Sequence, residues 1–189
     1  MASELLLLSP YVLVTVAGLL FLALEVFASG KDRAYMGGLA AAIFAIGFGL
    51  TAYLWTQSGT TSLTTPFLAR VLTTDRFALF LQGVMLLAAA ATAVFSVSYL
   101  KEHDADRGEY YATLAFATLG MMVMVGTRDL ITLFIGLEVM SLSVYLLVAF
   151  KRVTSYASVE AALKYFILGS VAGGVFLFGI AFLYGLTGS

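Results

Sequence analysis

The sequence predicts an all-α polytopic membrane protein with about six transmembrane helices. Of its 189 residues, 61% are hydrophobic and 11% are charged, and the mean hydropathy is +1.01. Soluble domains are roughly half apolar and about a quarter charged, so this composition excludes a soluble enzyme, a disordered regulator and a nucleic-acid-binding protein. The net charge of -1 indicates no electrostatic partner.

The residue types also limit the chemistry of the chain. It contains no cysteine and one histidine, which excludes disulfides, iron–sulfur clusters and thiolate metal sites. We therefore expect neither a metal nor a bound cofactor. Glu4 stands where a secretory signal peptide has lysine or arginine, so we expect the first apolar run to be a permanent helix.

The six spans follow from length and apolar character. A bilayer core of about 30 Å requires roughly 20 apolar residues per helix. Stretches of that kind lie at about 4–28, 34–56, 76–100, 110–127, 129–150 and 158–184. We divide the chain into residues 1–105, with three spans and an outer loop at 57–75, and residues 106–189 with the other three. Within that loop, residues 67–72 are predicted to form a short strand.

Local signals set the connections between the later spans. Thr127, Arg128 and Asp129 leave almost no loop between the fourth and fifth spans, which predicts a tight antiparallel hairpin with Asp129 capping the fifth. Ser158 is predicted to cap the sixth span, with Glu160 in its first turn, where an acid suits the helix dipole.

The basic residues predict an orientation. The loops after the first, third and fifth spans contain six basic residues: Lys31, Arg33, Lys101, Arg107, Lys151 and Arg152. The opposite side of the membrane has three: Arg70, Arg76 and Arg128. The positive-inside rule then places the N-terminus outside. Lys164 is left over, inside the sixth span.

Glu138 is the strongest candidate for function. It lies about nine residues into the fifth span with apolar residues on both sides, and ionisable residues within a membrane span are functional candidates by default. Ser141 and Tyr145 follow at positions that share its helix face. A protonated glutamic acid with a purely structural hydrogen bond is the alternative.

Lys164 is the second candidate. It lies about two turns into the sixth span, followed by Tyr165, and a buried lysine shifts its pKa readily. The alternative is an i,i+4 pair with Glu160 and a side chain that extends to the cytoplasmic surface. Glu25 is third, near the end of the first span, where it can also pair with Lys31 or Arg33.

A buried acid and a buried base on consecutive helices suggest proton translocation. At 4 Å and an effective dielectric of 20, their coupling is of order 4 kcal/mol, or about three pKa units. Helix movement that separates Glu138 from Lys164 would therefore release a proton.

Three motifs resemble a known family. DLITLFIGLE at 129–138, LSVYL at 142–146 and EAALKYF at 160–166 resemble subunit N of proton-translocating NADH:quinone oxidoreductase, respiratory complex I. Cation/proton antiporter subunits share this ancestry. Residues 106–189 then correspond to the first part of an antiporter-like proton-channel repeat.

The resemblance implies a membrane-arm subunit in a bacterial plasma membrane, contacting lipid and other complex I subunits. It places Glu138 and Lys164 in the proton path. From the residue patterns above, we expect Ser141, Tyr145, Glu160, Tyr165 and Glu25 to be candidate supporting residues. NADH, flavin, iron–sulfur clusters and quinone are expected in other subunits. The family has further helices, so we expect another segment or chain to complete the path.

Two rival hypotheses remain open. The chain is alternatively a subunit of a cation/proton antiporter, in which case sodium-dependent flux would not require NADH oxidation. A third hypothesis is an assembly module whose intramembrane charges only join neighbouring helices. Neutral substitutions that spare pumping but destabilise the complex would favour this last hypothesis.

Overall fold

The computed structural model describes residues 2–27, 34–57, 65–103, 105, 107–151 and 155–188. Lys31 and Arg33, the predicted partners of Glu25, lie outside these residues. The described residues form helices and the short connections between them, with no strand and one isolated β-bridge between Leu72 and Thr127. The helices are α1 (Ala2–Phe27), α2 (Ala34–Gln57), α3 (Pro66–Val71), α4 (Arg76–Glu102), α5 (Gly108–Val125), α6 (Leu130–Val148), a 3₁₀ turn (Ala149–Lys151) and α7 (Tyr156–Thr187).

The predicted fold class is confirmed. Every helix of the described residues except the short α3 and the 3₁₀ turn is long and apolar enough to span a membrane, which gives six spans. The connection before α4 differs from its prediction, because residues 67–72 lie largely in helix α3 rather than in a strand. Pro66 explains this, since proline in the first turn gives up no helical hydrogen bond and its fixed φ suits a helix.

The predicted N-terminal cap of α6 is confirmed, and the predicted cap of α7 is wrong. Asp129 caps α6 as predicted, accepting a hydrogen bond from the Thr132 backbone N–H at 2.7 Å. Ser158 does not cap α7, because the helix begins earlier and Ser155 is its cap. The Ser158 hydroxyl donates instead to the Val148 carbonyl at 2.5 Å. Glu160 consequently lies beyond the first turn.

The hydrophobic core lies among α1, α2, α4 and α5. Large side chains from each of these helices are almost completely buried there, including Phe21, Phe44, Leu86 and Tyr111. The helices on the two sides of residue 105 therefore share one core. Helix α6 packs against α5, and α7 packs against α6. Most of the α7 surface is left exposed by the described residues.

Two glycines bring α5 and α6 into close contact. A Cβ atom on Gly120 would lie 2.6 Å from the Gly136 carbonyl oxygen and 2.5 Å from the Met140 backbone nitrogen. Small residues permit this approach in lipid, where dispersion contacts hold helices together. The contact holds α6 against α5 two residues before Glu138.

Candidate functional site

Glu138 lies in the interface between α6 and α7. Its side chain is half-buried, and its Oε1 atom is 2.7 Å from the position that a Cβ atom on Gly173 would occupy. Phe134, one turn earlier, places its ring 6.2 Å from that of Phe176 on α7. The carboxyl therefore projects from α6 directly towards the α7 backbone.

Tyr145 continues this face of α6 about two turns after Glu138. Its ring makes edge contacts with Tyr165 and Phe166 of α7, at centroid distances of 4.8 and 5.7 Å. Its hydroxyl lies against Gly169. Ser141, between the two on the sequence-predicted stripe, is half-buried. The structure thus brings Glu138, Tyr145 and Tyr165 to one interface.

Lys164 lies on a different side of α7. Its ammonium nitrogen donates to Glu160 Oε1 at 2.5 Å, and the two side chains are 70% and 52% exposed. This is the i,i+4 pair that the sequence offered as the alternative to a buried lysine. Lys164 is nine residues before Gly173, which is about two and a half helical turns and about 13 Å along the axis. It therefore faces away from α6.

The expected direct coupling of Glu138 and Lys164 is corrected by this geometry. Among the described residues, no hydrogen bond or ion pair joins them, because α7 presents Gly173 to Glu138 and Lys164 to its opposite face. An interaction at 4 Å is not available in this arrangement. Tyr145, two turns after Glu138, contacts the ring of Tyr165, which is next to Lys164 in the chain.

Glu25 has a partner that the sequence did not predict. Its Oε2 atom accepts a hydrogen bond from the Gly108 backbone N–H at 2.7 Å, at the first residue of α5. The N-cap residue Arg107 makes no side-chain cap bond. The carboxyl from α1 therefore satisfies an α5 N–H that lacks a helical acceptor, and its charge complements the helix dipole.

Asp129 belongs to a hydrogen-bond network at the bundle end where α1 begins. Its carboxyl accepts from the Tyr184 hydroxyl, the Thr132 hydroxyl and the Thr132 N–H, each at 2.7 Å. The hydrogen bond from Tyr184, followed by those from Thr132, lowers the pKa of Asp129 below its ordinary value of 3.8. The same residue therefore caps α6 and holds the far end of α7.

The segment before α4 joins the same bundle end. The Thr127 hydroxyl donates to the Val71 carbonyl at 2.5 Å, and Thr73 N–H donates to the Gly126 carbonyl at 2.7 Å. Asp75 caps α4, and the hydrogen bond from the Ala78 N–H lowers the pKa of its carboxyl. The bonds donated by Thr127 and Thr73 connect residues that are more than fifty positions apart in the sequence.

Sequence reasoning missed two polar contacts within the helices. The Gln82 side-chain amide, 1% exposed, donates to the Tyr11 hydroxyl at 2.7 Å. A lone glutamine in an apolar run was the available signal. The only feature of the sequence that relates to the contact of Glu138 with Gly173 is the four-residue spacing of Gly169 and Gly173. Such spacings of small residues are common in membrane helices, so they do not predict a particular contact. No group of three metal-ligating side chains occurs among the described residues.

Comparison with known proteins gives consistent matches. Residues 127–189 match the family described as NADH:quinone oxidoreductase/Mrp antiporter, TM. NADH-quinone oxidoreductase subunit N of Trichlorobacter lovleyi is 39% identical over 180 residues, which cover 95% of this chain and 36% of the relative. Subunit N 1 of Sorangium cellulosum is 50% identical over 121 residues, covering 64% of this chain and 24% of the relative.

Two solved structures share the fold. A chain of respiratory complex I from Thermus thermophilus with bound aureothin superposes with a TM-score of 0.68 and 26% identity, over 95% of this chain and 37% of that one. A chain of the archaeal membrane-bound sulfane sulfur reductase gives a TM-score of 0.73 at 20% identity, over 99% and 38%. The chain spans about a third of the length of these proteins.

Proposed function

Because this chain is a homologue of subunit N of the NADH-quinone oxidoreductases, we propose that it is a membrane-arm subunit that contributes to proton translocation coupled to quinone reduction. Glu138 is the proposed proton-carrying group. The observation that supports this role most directly is that the Glu138 carboxyl projects into the α6–α7 interface, away from both ends of the span. Both helices lie within the part of the chain that matches the family.

Tyr145 and Tyr165 are proposed to support the path on the α7 side. Their rings are in contact, and both carry hydroxyls that can donate and accept hydrogen bonds. Lys164, paired with Glu160, is proposed to act on the outward face of α7. Transfer between Glu138 and Lys164 then requires intervening hydroxyls or water, since the two do not touch. Ser141, on the Glu138 face, is proposed to hold such a water.

The rest of the machinery is proposed to lie in other polypeptide segments. Residues 106–189 are proposed to be the first part of an antiporter-like repeat, and residues 1–105 a membrane segment in front of it. NADH, flavin, iron–sulfur clusters and quinone are proposed to bind other subunits of the complex, with membrane-arm subunits as partners. The proposed location is a bacterial plasma membrane with the N-terminus outside.

Glu138→Gln in the assembled respiratory complex tests this function. We expect NADH-driven quinone reduction and proton uptake to fall together, by about a hundredfold or more, because the amide cannot carry a proton and general acid–base steps contribute roughly 10²–10⁴-fold. Both rates are measured on the same membrane vesicles. Glu102→Gln, at the exposed end of α4, is the matched control and is expected to leave both rates unchanged.

The outcomes separate the rival functions. If the Glu138→Gln complex assembles and retains both rates, Glu138 has a structural role and the assembly-module hypothesis replaces the proposal. The antiporter hypothesis draws on the family description, which also includes Mrp antiporters. Sodium-dependent proton flux that persists in vesicles without NADH would favour it.

A further inference from the structure

Gly173 faces a single side chain. A Cβ atom on Gly173 would meet only Glu138 within 4 Å among the described residues, with Oε1 at 2.7 Å and Cδ at 3.8 Å. Gly173 itself is buried. Real Cβ atoms almost never approach another heavy atom within 3.0 Å. The present location of the carboxyl therefore requires a residue without a side chain at position 173.

Gly169, one turn earlier, has the same relation to the second polar residue of the face. A Cβ atom there would collide with the Tyr145 hydroxyl and would lie 2.7 Å from Cζ. Because α6 and α7 are antiparallel, the two glycines meet the two polar side chains in reverse order. Gly169 and Gly173 therefore form a notch in the surface of α7. Because neither residue has a side chain, the notch leaves room for the polar face of α6.

The glycines between α5 and α6 meet different atoms. Between α5 and α6, Gly120 and Gly136 approach mainly backbone atoms of the opposite helix, as close helix packing requires. The notch on α7 instead receives a carboxyl and a phenol. Gly174, adjacent to Gly173, is exposed and would meet nothing within 4 Å.

We propose that Gly173 is a positioning residue for Glu138: its missing side chain sets where the carboxyl lies in the α6–α7 interface. This inference rests on the proposed function of Glu138. It predicts that the added methyl group of Gly173→Ala displaces the carboxyl by several tenths of an ångström or more. Displacements of about 1 Å cost up to roughly a hundredfold in rate at catalytic centres.

The test compares two alanine variants in the assembled complex. In Gly173→Ala we expect proton uptake and quinone reduction to fall about three- to tenfold, from the displacement of Glu138. In Gly174→Ala we expect both rates to remain at the unmodified level. Equal behaviour of the two variants would contradict the positioning role.

A rescue variant separates positioning from general damage. Aspartate is one methylene shorter than glutamate, so Glu138→Asp in the Gly173→Ala background removes the collision. We expect the double variant to be more active than the product of the two single effects predicts, and a purely multiplicative result would contradict the proposal. If Gly173→Ala fails to assemble, restoration of assembly by Glu138→Asp supports the proposal, and continued failure overturns it.

An infrared measurement distinguishes failure of this inference from failure of the proposed function. The carboxyl band that disappears in Glu138→Gln reports the surroundings of Glu138 without any need for pumping. We expect that band to change frequency in Gly173→Ala and to stay unchanged in Gly174→Ala. A shifted band with normal pumping in Glu138→Gln would retain the positioning role and reject the proton role, whereas an unshifted band would reject the positioning role.

Discussion

Carboxyl groups in this chain differ in role according to what their oxygens meet. Asp129 accepts three hydrogen bonds at a helix beginning, and Glu25 accepts one from the backbone of a distant helix. The Glu138 carboxyl instead lies beside Gly173, a residue without a side chain. The donors to Asp129 stabilise its charged form. Residue type alone does not distinguish these surroundings.

The Asp129–Tyr184 bond predicts a pH-dependent stability. The pKa of Asp129 is lowered in the folded chain, so its ionised form stabilises the fold above the ordinary value of 3.8, and this stabilisation is lost as the pH falls through the lowered value. Tyr184→Phe removes the main cause. We expect a lower melting temperature than the unmodified protein at pH 7, with a difference that shrinks below about pH 4.

Thermal unfolding in lipid nanodiscs at several pH values measures this difference. Tyr53→Phe is the matched control, because Tyr53 also lies near the end of a span and is 51% exposed. It is expected to leave the melting temperature unchanged at every pH. A Tyr184→Phe difference that stays constant down to pH 2 would contradict a role for the Asp129 charge.

At the scale of helices, the sequence located spans well and their ends less well. Apolar length predicts a span because the bilayer thickness sets it. A helix end depends on which side chain reaches the first free N–H groups, and Ser155 takes that position on α7 where Ser158 was expected. On α5 the group that satisfies Gly108 comes from α1, which no local pattern shows.

Glu25→Gln tests whether Glu25 caps α5 or carries protons. Loss of the charged acceptor is expected to destabilise the fold by about 1 kcal/mol, a typical value for caps and dipole interactions. The ratio of protons taken up to NADH oxidised is expected to stay constant. Melting temperature and coupled flux are measured on the same preparation, with Glu102→Gln as control. A changed ratio at an unchanged melting temperature would instead place Glu25 in the path.

At the scale of the whole molecule, the bundle has two ends with different composition. One end has α3, the α5–α6 turn and the end of α7, joined through Thr127, Asp129 and Tyr184. The other end has the connections after α4 and after α6. The excess of basic residues on the second end predicts that it faces the cytoplasm.

The absence of native cysteine makes this orientation directly testable. A cysteine at exposed Ala69 in α3 is expected to react with a membrane-impermeant maleimide in intact cells. A cysteine at exposed Glu102, at the end of α4, is expected to react only after permeabilisation. The opposite labelling pattern would reverse the orientation.

The sequence by itself determined the membrane class, the six spans and the Asp129 cap, because hydrophobic length and local capping act over short stretches of chain. The motif resemblance at residues 129–166 likewise led to the family that the comparisons match. Only the tertiary structure decided which face of α7 meets α6. That choice depends on the fit of glycines to side chains about thirty residues away, and it places Gly173 against Glu138 and turns Lys164 outward.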